Sequence, residues 1–287
     1  MKVLIAGAGG QVGCELHQLA CAQGLDVTAF AHKSLDITDA VSVQQVIGAA
    51  RPDVVINAAA YTAVDRAETE PERAFLVNKD GAANLARAAH HAGALFLHLS
   101  TDYVFDGSNP NPYTENDTVC PINVYGASKA AGDEIVRQIC PRHVILRVSW
   151  VFGRSDSSFP SKIRALARQR EELRVVSDQR GCPTYAGDIA AALLQIAQFE
   201  SSQVKAWGTY HYAGAPVTNW HEFATAIVAI AAKKESLAVK RIMAITSAEF
   251  PMAARRPVNS VLDTSLCRET WGLSPPSWEG RLPAIVA

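Results

Sequence analysis

Tyr125 and Lys129, in Val124-Tyr125-Gly126-Ala127-Ser128-Lys129, are the residues whose types and spacing first suggest chemistry. Four apart on a helix, two side chains share a face, with Cβ atoms about 5–6 Å apart. A phenol alone is a poor acid-base group at neutral pH, because it ionises near pH 10. An ammonium held beside it favours the phenolate and lowers that value. The couple can then pass a proton to or from a carbonyl oxygen. Tyr-x-x-x-Lys by itself also describes many solvated helix faces, so other residues must decide.

Four other segments bear on the choice. Gly7-x-x-Gly10-x-x-Gly13, with Gln11 and Val12 inside it, lies between an apolar strand and a helix. Missing side chains there let backbone amides approach a pyrophosphate, and the helix N-terminus adds positive charge. The alternatives are an ordinary glycine-rich turn, or a flavin in place of a nicotinamide dinucleotide. The second strand ends at Ala29-Phe30-Ala31-His32-Lys33, with no acid to hold a ribose 2′-hydroxyl. Lys33 and His32 instead suit a 2′-phosphate, which favours NADPH with NADH able to substitute, unless both are solvated loop residues. Asp36 follows, toward the adenine end. Asn57-Ala58-Ala59-Ala60 and Ser100-Thr101-Asp102 each end a strand. Small residues in the first let a ligand approach the backbone, or serve helix–sheet packing. Thr101 in the second could bond a substrate carbonyl beside Tyr125, or be a turn hydroxyl.

The elements that must position these residues follow from periodicity. Continuous apolar runs at Lys2–Ala6, Asp26–Phe30, Asp53–Asn57, Leu95–Leu99 and His143–Val148 read as buried parallel strands. Helices are expected at Cys14–Ala22, Asp39–Ala50, from Pro71 to about His91, and from Val124 with Asn123 as its cap. The alternation predicts an α/β fold, a Rossmann-type doubly wound parallel sheet. Beyond Trp150 the rhythm loosens, with helices at Phe159–Arg170, Asp188–Gln198 and Trp220–Ala232. Residues 1–150 are therefore assigned to a dinucleotide-binding domain. Residues 151–287 are assigned mainly to a smaller mixed α/β substrate lobe, interleaved with returns to the sheet.

Composition narrows the partners. The 287 residues are 48% hydrophobic and 19% charged, enough to bury a core, and the net charge of −1 comes with no basic block. That argues against nucleic acid or an anionic membrane as the main partner. No apolar stretch approaches the roughly 20 residues of a membrane span. Met1-Lys2 runs directly into a strand, so no signal peptide is expected. The six cysteines, Cys14, Cys21, Cys120, Cys140, Cys182 and Cys267, form no C-x-x-C and read as free thiols of a reducing cytoplasm. Cys14 and Cys21, seven apart, read as a packing stripe on one helix.

Taken together these segments resemble the extended short-chain dehydrogenase/reductase family, most closely its branch of nucleotide-sugar 4-keto reductases. The resemblance rests on Gly10–Gly13, Leu35-Asp36-Ile37-Thr38-Asp39, Val55–Asp65, Ser100–Gly107, Val124–Lys129, Arg147–Trp150, Asp178–Thr184 and Ala254–Ser260, and it covers nearly the whole chain. It implies reduction of dTDP-4-dehydro-L-rhamnose at C4 to dTDP-L-rhamnose. Tyr125 would donate the proton, Lys129 would lower its pKa and hold the nicotinamide ribose, and Thr101 would orient the carbonyl. The implied cofactor positions are Gly7, Gly10, Gln11, Val12, His32, Lys33, Asp36, Ile37, Ala58, Ala59, Ala60, Asn78 and Ser100, with Tyr125 and Lys129. The implied substrate positions are Thr62, Val64, Asp102, Val104 and Trp150, with Arg256 on the diphosphate.

Two departures matter. Related 4,6-dehydratases carry Thr-Asp-Glu at this strand end, where this chain has Thr101-Asp102-Tyr103, so the eliminating acid is absent. Some family members bind Mg²⁺ through carboxylates at a homodimer interface. Glu15 matches one such position, but Gly187 stands at the second, with Asp188 next to it, and the tail shows no match to a third. Mg²⁺ and a metal-linked homodimer are thus open. Two further readings also stand: an NADP-binding regulatory subunit like that of methionine adenosyltransferase, and a reductase of another nucleotide-sugar.

Overall fold

The structure, a computed structural model, describes residues 1–200 and 206–286. The chain begins with β1 (Lys2–Ala6), α1 (Gln11–Ala22), β2 (Asp26–Phe30), α2 (Ala40–Ala50), β3 (Val54–Asn57) and α3 (Val64–Ala67). It continues through α4 (Pro71–Phe75), a π-helical stretch (Leu76–Gly81), α5 (Ala82–His91), β4 (Leu95–Thr101), α6 (Val124–Ile139) and β5 (His143–Val148). Next come β6 (Val151–Phe152), α7 (Phe159–Gln169), β7 (Glu172–Val176), β8 (Arg180–Gly181), β9 (Thr184–Tyr185) and α8 (Ala186–Glu200). The chain closes with β10 (Gly208–Tyr212), β11 (Thr218–Asn219), α9 (Trp220–Ala231), β12 (Arg241–Ile245), α10 (Ser265–Trp271) and α11 (Trp278–Val286).

Six strands make one parallel sheet in the order β10-β5-β4-β3-β1-β2. The order reverses between β1 and β3, so the loops leaving their carboxyl ends diverge and open a crevice. β1, β3, β4 and β5 are buried on both faces, which is why their sequences are near-continuous apolar runs. Val12, Leu16, Ile189, Leu193 and Trp271 from α1, α8 and α10 cover one face. Val43, Ile47, Leu85, Ala86 and Val136 from α2, α5 and α6 cover the other.

Local chemistry sets the boundaries. The Asp39 carboxylate accepts from the amides of Val41 and Ser42 and starts α2. Arg51, at φ 45°, ends it ahead of Pro52. Asn123 accepts from the Gly126 amide at 2.7 Å and starts α6, as its sequence position suggested. The helix expected from Pro71 runs unbroken to His91, but its middle turn is π-helical. Gly132 of α6 fits against that turn, where a Cβ would lie 2.2 Å from the Asn78 carbonyl.

The second half divides between two cores. α7, β7, α9, β12 and α11 build a lobe around Phe152, Leu173, Phe223, Ile227 and Trp278. α8, β10 and α10 return to the sheet, with β10 paired in parallel to β5. The cysteines of α1 are a correction. Cys14 and Cys21 are both exposed, because the helix buries Val12, Gly13, Leu16 and Ala20 instead. All six thiols are free. Among the described residues no helix is long and apolar enough to cross a membrane.

Candidate active site

A crevice of about 620 Å³ opens where β1 and β3 diverge. Gly7 turns there at φ +88°, and a Cβ on it would lie 2.4 Å from the Ala59 amide. A Cβ on Gly13 would lie 2.1 Å from the Gly7 carbonyl. Only glycine lets the two loops and the start of α1 approach so closely. Gln11 and Val12 form the first turn of α1, which has no acidic residue to oppose an anion. Its unpaired amides face the loop end and carry the positive end of the helix dipole.

Gly7, Gly10, Ala58, Ala59 and Ala60 line this crevice, with His32, Lys33, Asp36 and Ile37 at its outer end. Lys33 and His32 are exposed. The Asp36 carboxylate accepts from the Thr38 amide and hydroxyl at 2.9 and 2.8 Å, which hold it below the usual carboxylate range. The opposite wall brings Tyr61, Arg73, Leu76 and Val77. Arg73 was not foreseen; it stands on α4, where a surface Arg carries no distinguishing sequence signal.

At the other end of the sheet's mouth, Thr101 closes β4 in an extended conformation. Its hydroxyl donates to Asp102 at 3.0 Å and accepts from the Tyr103 amide at 3.2 Å. The same hydroxyl acts on the neighbouring Tyr125 phenol, favouring its ionised form against the burial that opposes it. Tyr125 is half-buried, and the ring of Tyr103 packs edge-on against it, 5.8 Å between centroids. Thr101 and Tyr125 are thus brought together as their sequence positions suggested.

Lys129 takes a different place from the one expected. Its Nζ donates to the Leu99 carbonyl at 2.6 Å and lies 3.4 Å from His98 Nε2. Burial pushes the Tyr125 phenol up to about 12, and pulls the Lys129 ammonium down to about 8 against the opposing pull of Asp133. The expected lowering of the phenol by Lys129 is not seen: burial raises it, Asp102 and Asp133 add to the rise, and the opposing group is Thr101. A phenol at about 12 remains protonated at neutral pH, which is the state a proton donor requires.

Several residues taken for ligand contacts are braces. Asn78 is 1% exposed and spends its amide on Tyr61 and Ser128, tying the β3 loop to α6. Ser100 is buried, with a hydroxyl that has no hydrogen-bond partner. Asp102 lies behind Thr101, accepting from Thr101 and Ser149, and burial pushes it up to about 6. Val104 is a correction: it is fully buried with Phe105, Tyr113 and Val261, so its side chain offers a ligand no surface. Thr62 is exposed and Val64 half-buried on the loop after β3.

Trp150 sits at the junction with the lobe, at φ +44°, stacked 3.6 Å from Trp220 and donating to Ser260. Gly181 makes room for its indole, since a Cβ there would lie 2.3 Å from the ring. Left-handed backbone at a large residue costs energy and is held by such surroundings. Arg256 forms a two-pronged ion pair with Asp65, at 2.7 and 2.6 Å, and also donates to the Ala254 carbonyl. Asp65 and the Ala254 carbonyl take three of its five N–H donors, so Arg256 is oriented by the chain itself.

The carboxylates considered for Mg²⁺ are also engaged. Glu15 accepts from the Tyr185 hydroxyl at 3.0 Å, and Asp188 is clasped by Arg281 at 2.9 and 2.6 Å. Among the described residues no group of three or more His, Cys, Asp or Glu side chains is placed to hold a metal ion. The donor set does not fit the ion within one chain, because Asp188 is already neutralised by the Arg281 guanidinium.

A parallel sheet with a glycine-loop crevice at its switch point, and a Thr, Tyr and Lys at the same mouth, defines a dinucleotide-dependent oxidoreductase of the short-chain type. The family model described as RmlD substrate binding domain matches residues 1–287, and the chain belongs to that family. The dTDP-4-dehydrorhamnose reductase of Aggregatibacter actinomycetemcomitans is 43% identical, over 100% of this chain and 98% of that one. The crystal structure of dTDP-4-dehydrorhamnose reductase from Bacillus anthracis in complex with NADP is similar at a TM-score of 0.92 and 37% identity, covering 99% of this chain and 98% of that one. The Clostridium acetobutylicum ortholog is similar at a TM-score of 0.93 and 35% identity, over 100% and 98% of the two chains.

Proposed function

We propose that this chain reduces dTDP-4-dehydro-L-rhamnose at C4 to dTDP-L-rhamnose, using a nicotinamide cofactor. The observation that carries the reading is the placement of Thr101, at the carboxyl end of β4, beside the Tyr125 phenol, in the same sheet whose β1 and β3 loops form the glycine crevice. The nicotinamide, when bound, supplies the hydride to C4. Thr101 orients the keto oxygen, and Tyr125 gives that oxygen its proton as negative charge develops. Lys129 contacts the ribose and stabilises the phenolate left behind. Tyr103 bears no acidic proton near neutral pH, since burial raises its phenol further, so loss of the C6 hydroxyl goes unassisted.

NADPH is the preferred cofactor on the strength of Lys33 and His32 at the outer end of the crevice. The glycine loop and Ala58–Ala60 hold the pyrophosphate, and Asp36 with Ile37 borders the adenosine. Residues 1–150 carry most of this dinucleotide site, and residues 151–287 most of the sugar side, through Trp150 and the lobe. Free thiols and NADPH use suit a cytoplasmic enzyme, and a second copy of the chain is the partner proposed for any assembly. Within the chain Glu15 accepts from Tyr185 and Asp188 pairs with Arg281, so an assembly held by Mg²⁺ would have to compete with those contacts.

The test is NADPH oxidation with dTDP-4-dehydro-L-rhamnose followed by identification of the product. Absence of oxidation with this sugar, alongside oxidation with a UDP- or GDP-linked ketone, would move the assignment to another nucleotide-sugar. Cofactor binding without turnover of any ketone would favour the regulatory-subunit reading.

A further inference from the structure

Behind Tyr125, the α6 side of the sheet carries polar residues at depths where apolar ones are the rule. Asn57 of β3 pairs in register with His98 of β4, and Arg147 of β5 pairs with Ser100 on one side and His211 on the other. His98, Lys129, Asp133 and Arg147 are each at most 2% exposed. Charges buried to this degree are retained only where each finds partners.

The partners form a chain that begins at the crevice. The Ala59 amide donates to Asn57 Oδ1 at 3.0 Å, which fixes the orientation of the Asn57 side chain. Its Nδ2 therefore faces His98 Nδ1, also at 3.0 Å. A donor on Nδ1 leaves that nitrogen unprotonated, so the neutral ring carries its proton on Nε2. Burial, reinforced by the neighbouring Lys129, holds His98 neutral. Nε2 lies 3.4 Å from Lys129 Nζ and 3.7 Å from Asp133 Oδ1, an oxygen with no hydrogen-bond partner. The other oxygen of Asp133 accepts from Arg147 Nε at 3.3 Å.

We propose that Asp133 and His98 are positioning residues for Lys129: Asp133, one turn along α6, keeps the buried ammonium charged, and His98, fixed as its Nε2–H tautomer by Asn57, turns a donor toward Asp133 and cannot accept from Nζ, which leaves the Leu99 carbonyl as the seat of the ammonium. The inference rests on the role given to Lys129 above. The charged or titratable groups that bear on this ammonium are few. β4 presents His98; β5 presents Arg147 and His143; α6 presents Asp133, Tyr125 and, further along, Arg137. Glu68 of the α3 end is occupied by the Val124 amide. The π-helical turn presents neutral Asn78, while Glu72, Arg73, Asp80 and Arg87 of that long helix are exposed. Asp133 is therefore the anion of this set that acts on Lys129, while Arg147 is drawn on by both Asp133 and Glu115.

Burial already brings Lys129 down to about 8, and Asp133 acts against that fall. The rate and the NADPH dissociation constant are to be measured between about pH 6 and pH 9.5 for the wild type, D133N and D133E. In the wild type, both should worsen as pH rises through about 8, where the ammonium is lost. In D133N that limb should move down by about one pH unit or more, and D133E should return it. An unmoved limb in folded D133N would overturn the proposal, since a packing role lowers stability without shifting a titration. If the sugar is not reduced at all, the functional reading falls, while the limb in NADPH binding still tests Asp133. D133N also strands Arg147 and could prevent folding, so the nitrogen-15 spectrum of the wild-type imidazoles provides an independent check. His98 should show a bare Nδ1, a protonated Nε2 and no titration between about pH 5 and pH 8. An Nδ1–H tautomer, or a ring that titrates in that range, would equally overturn it.

Discussion

Asp102 offers a test in which stability and chemistry separate. It is 2% exposed, and burial raises its carboxyl from 3.8 to about 6 despite the hydroxyls that bond it. The sign follows from proton linkage. The folded chain holds the Asp102 proton to higher pH than the unfolded chain, so the contribution of this group to stability falls as pH rises between about 4 and 6, then levels. At 1.36 kcal/mol per pH unit, the ionised carboxylate costs about 3 kcal/mol at pH 8 and about half of that at pH 5. D102N removes the charge and keeps the shape. Its oxygen can still accept from Thr101 and its amide nitrogen can donate to Ser149, at the cost of the acceptor that the Ser149 hydroxyl now uses, so the gain is an upper bound. Urea unfolding should therefore show D102N more stable than the wild type by up to about 3 kcal/mol at pH 8, with a smaller gain at pH 5. The same protein should turn over more slowly, because Thr101 loses its charged acceptor. A variant that is destabilised at pH 8, or whose stability difference is the same at both pH values, would refute the reasoning.

Other expectations are simpler. Tyr125→Phe should lower turnover by about 10²–10⁴-fold while cofactor fluorescence titrations and melting temperature stay near wild type; undiminished turnover would remove Tyr125 as the acid. Lys33→Asp should move the ratio of kcat/KM for NADPH over NADH toward NADH, and an unchanged ratio would dismiss Lys33 as a reader of the 2′-phosphate. EDTA should leave melting temperature and mass in solution unchanged, since Arg281 and Tyr185 already satisfy Asp188 and Glu15. A fall in either that Mg²⁺ restores would show that those carboxylates are free to bind the ion.

Much of the architecture could be read locally. Asp39, expected inside its helix, is the residue that caps it, but the apolar runs of β1, β3, β4 and β5 and the Asn123 cap depend on neighbours within a few residues and appear where the sequence places them. The same holds for the glycine crevice and for Thr101 beside Tyr125. β10 was not foreseen as a strand, because its place at the sheet edge depends on β5, more than sixty residues earlier. The engagement of Arg256 by Asp65 spans 191 positions, and no local pattern announces it. Val104 shares a matching motif with residues of the site, but the short 3₁₀ turn after Thr101 sends its side chain into a core.

The Tyr125–Lys129 spacing by itself determined that a phenol and an ammonium lie on one helix face beside a dinucleotide loop, because helical geometry is fixed by backbone hydrogen bonds within a few residues. Only the tertiary structure decided what those groups are. Burial keeps the phenol protonated and weakens the ammonium's hold on its proton, while Leu99, His98 and Asp133, brought from the sheet and from one turn along α6, decide where the ammonium rests. Desolvation and partner choice are sums over everything packed around a group, and most of what surrounds Lys129 lies about thirty residues away in the chain.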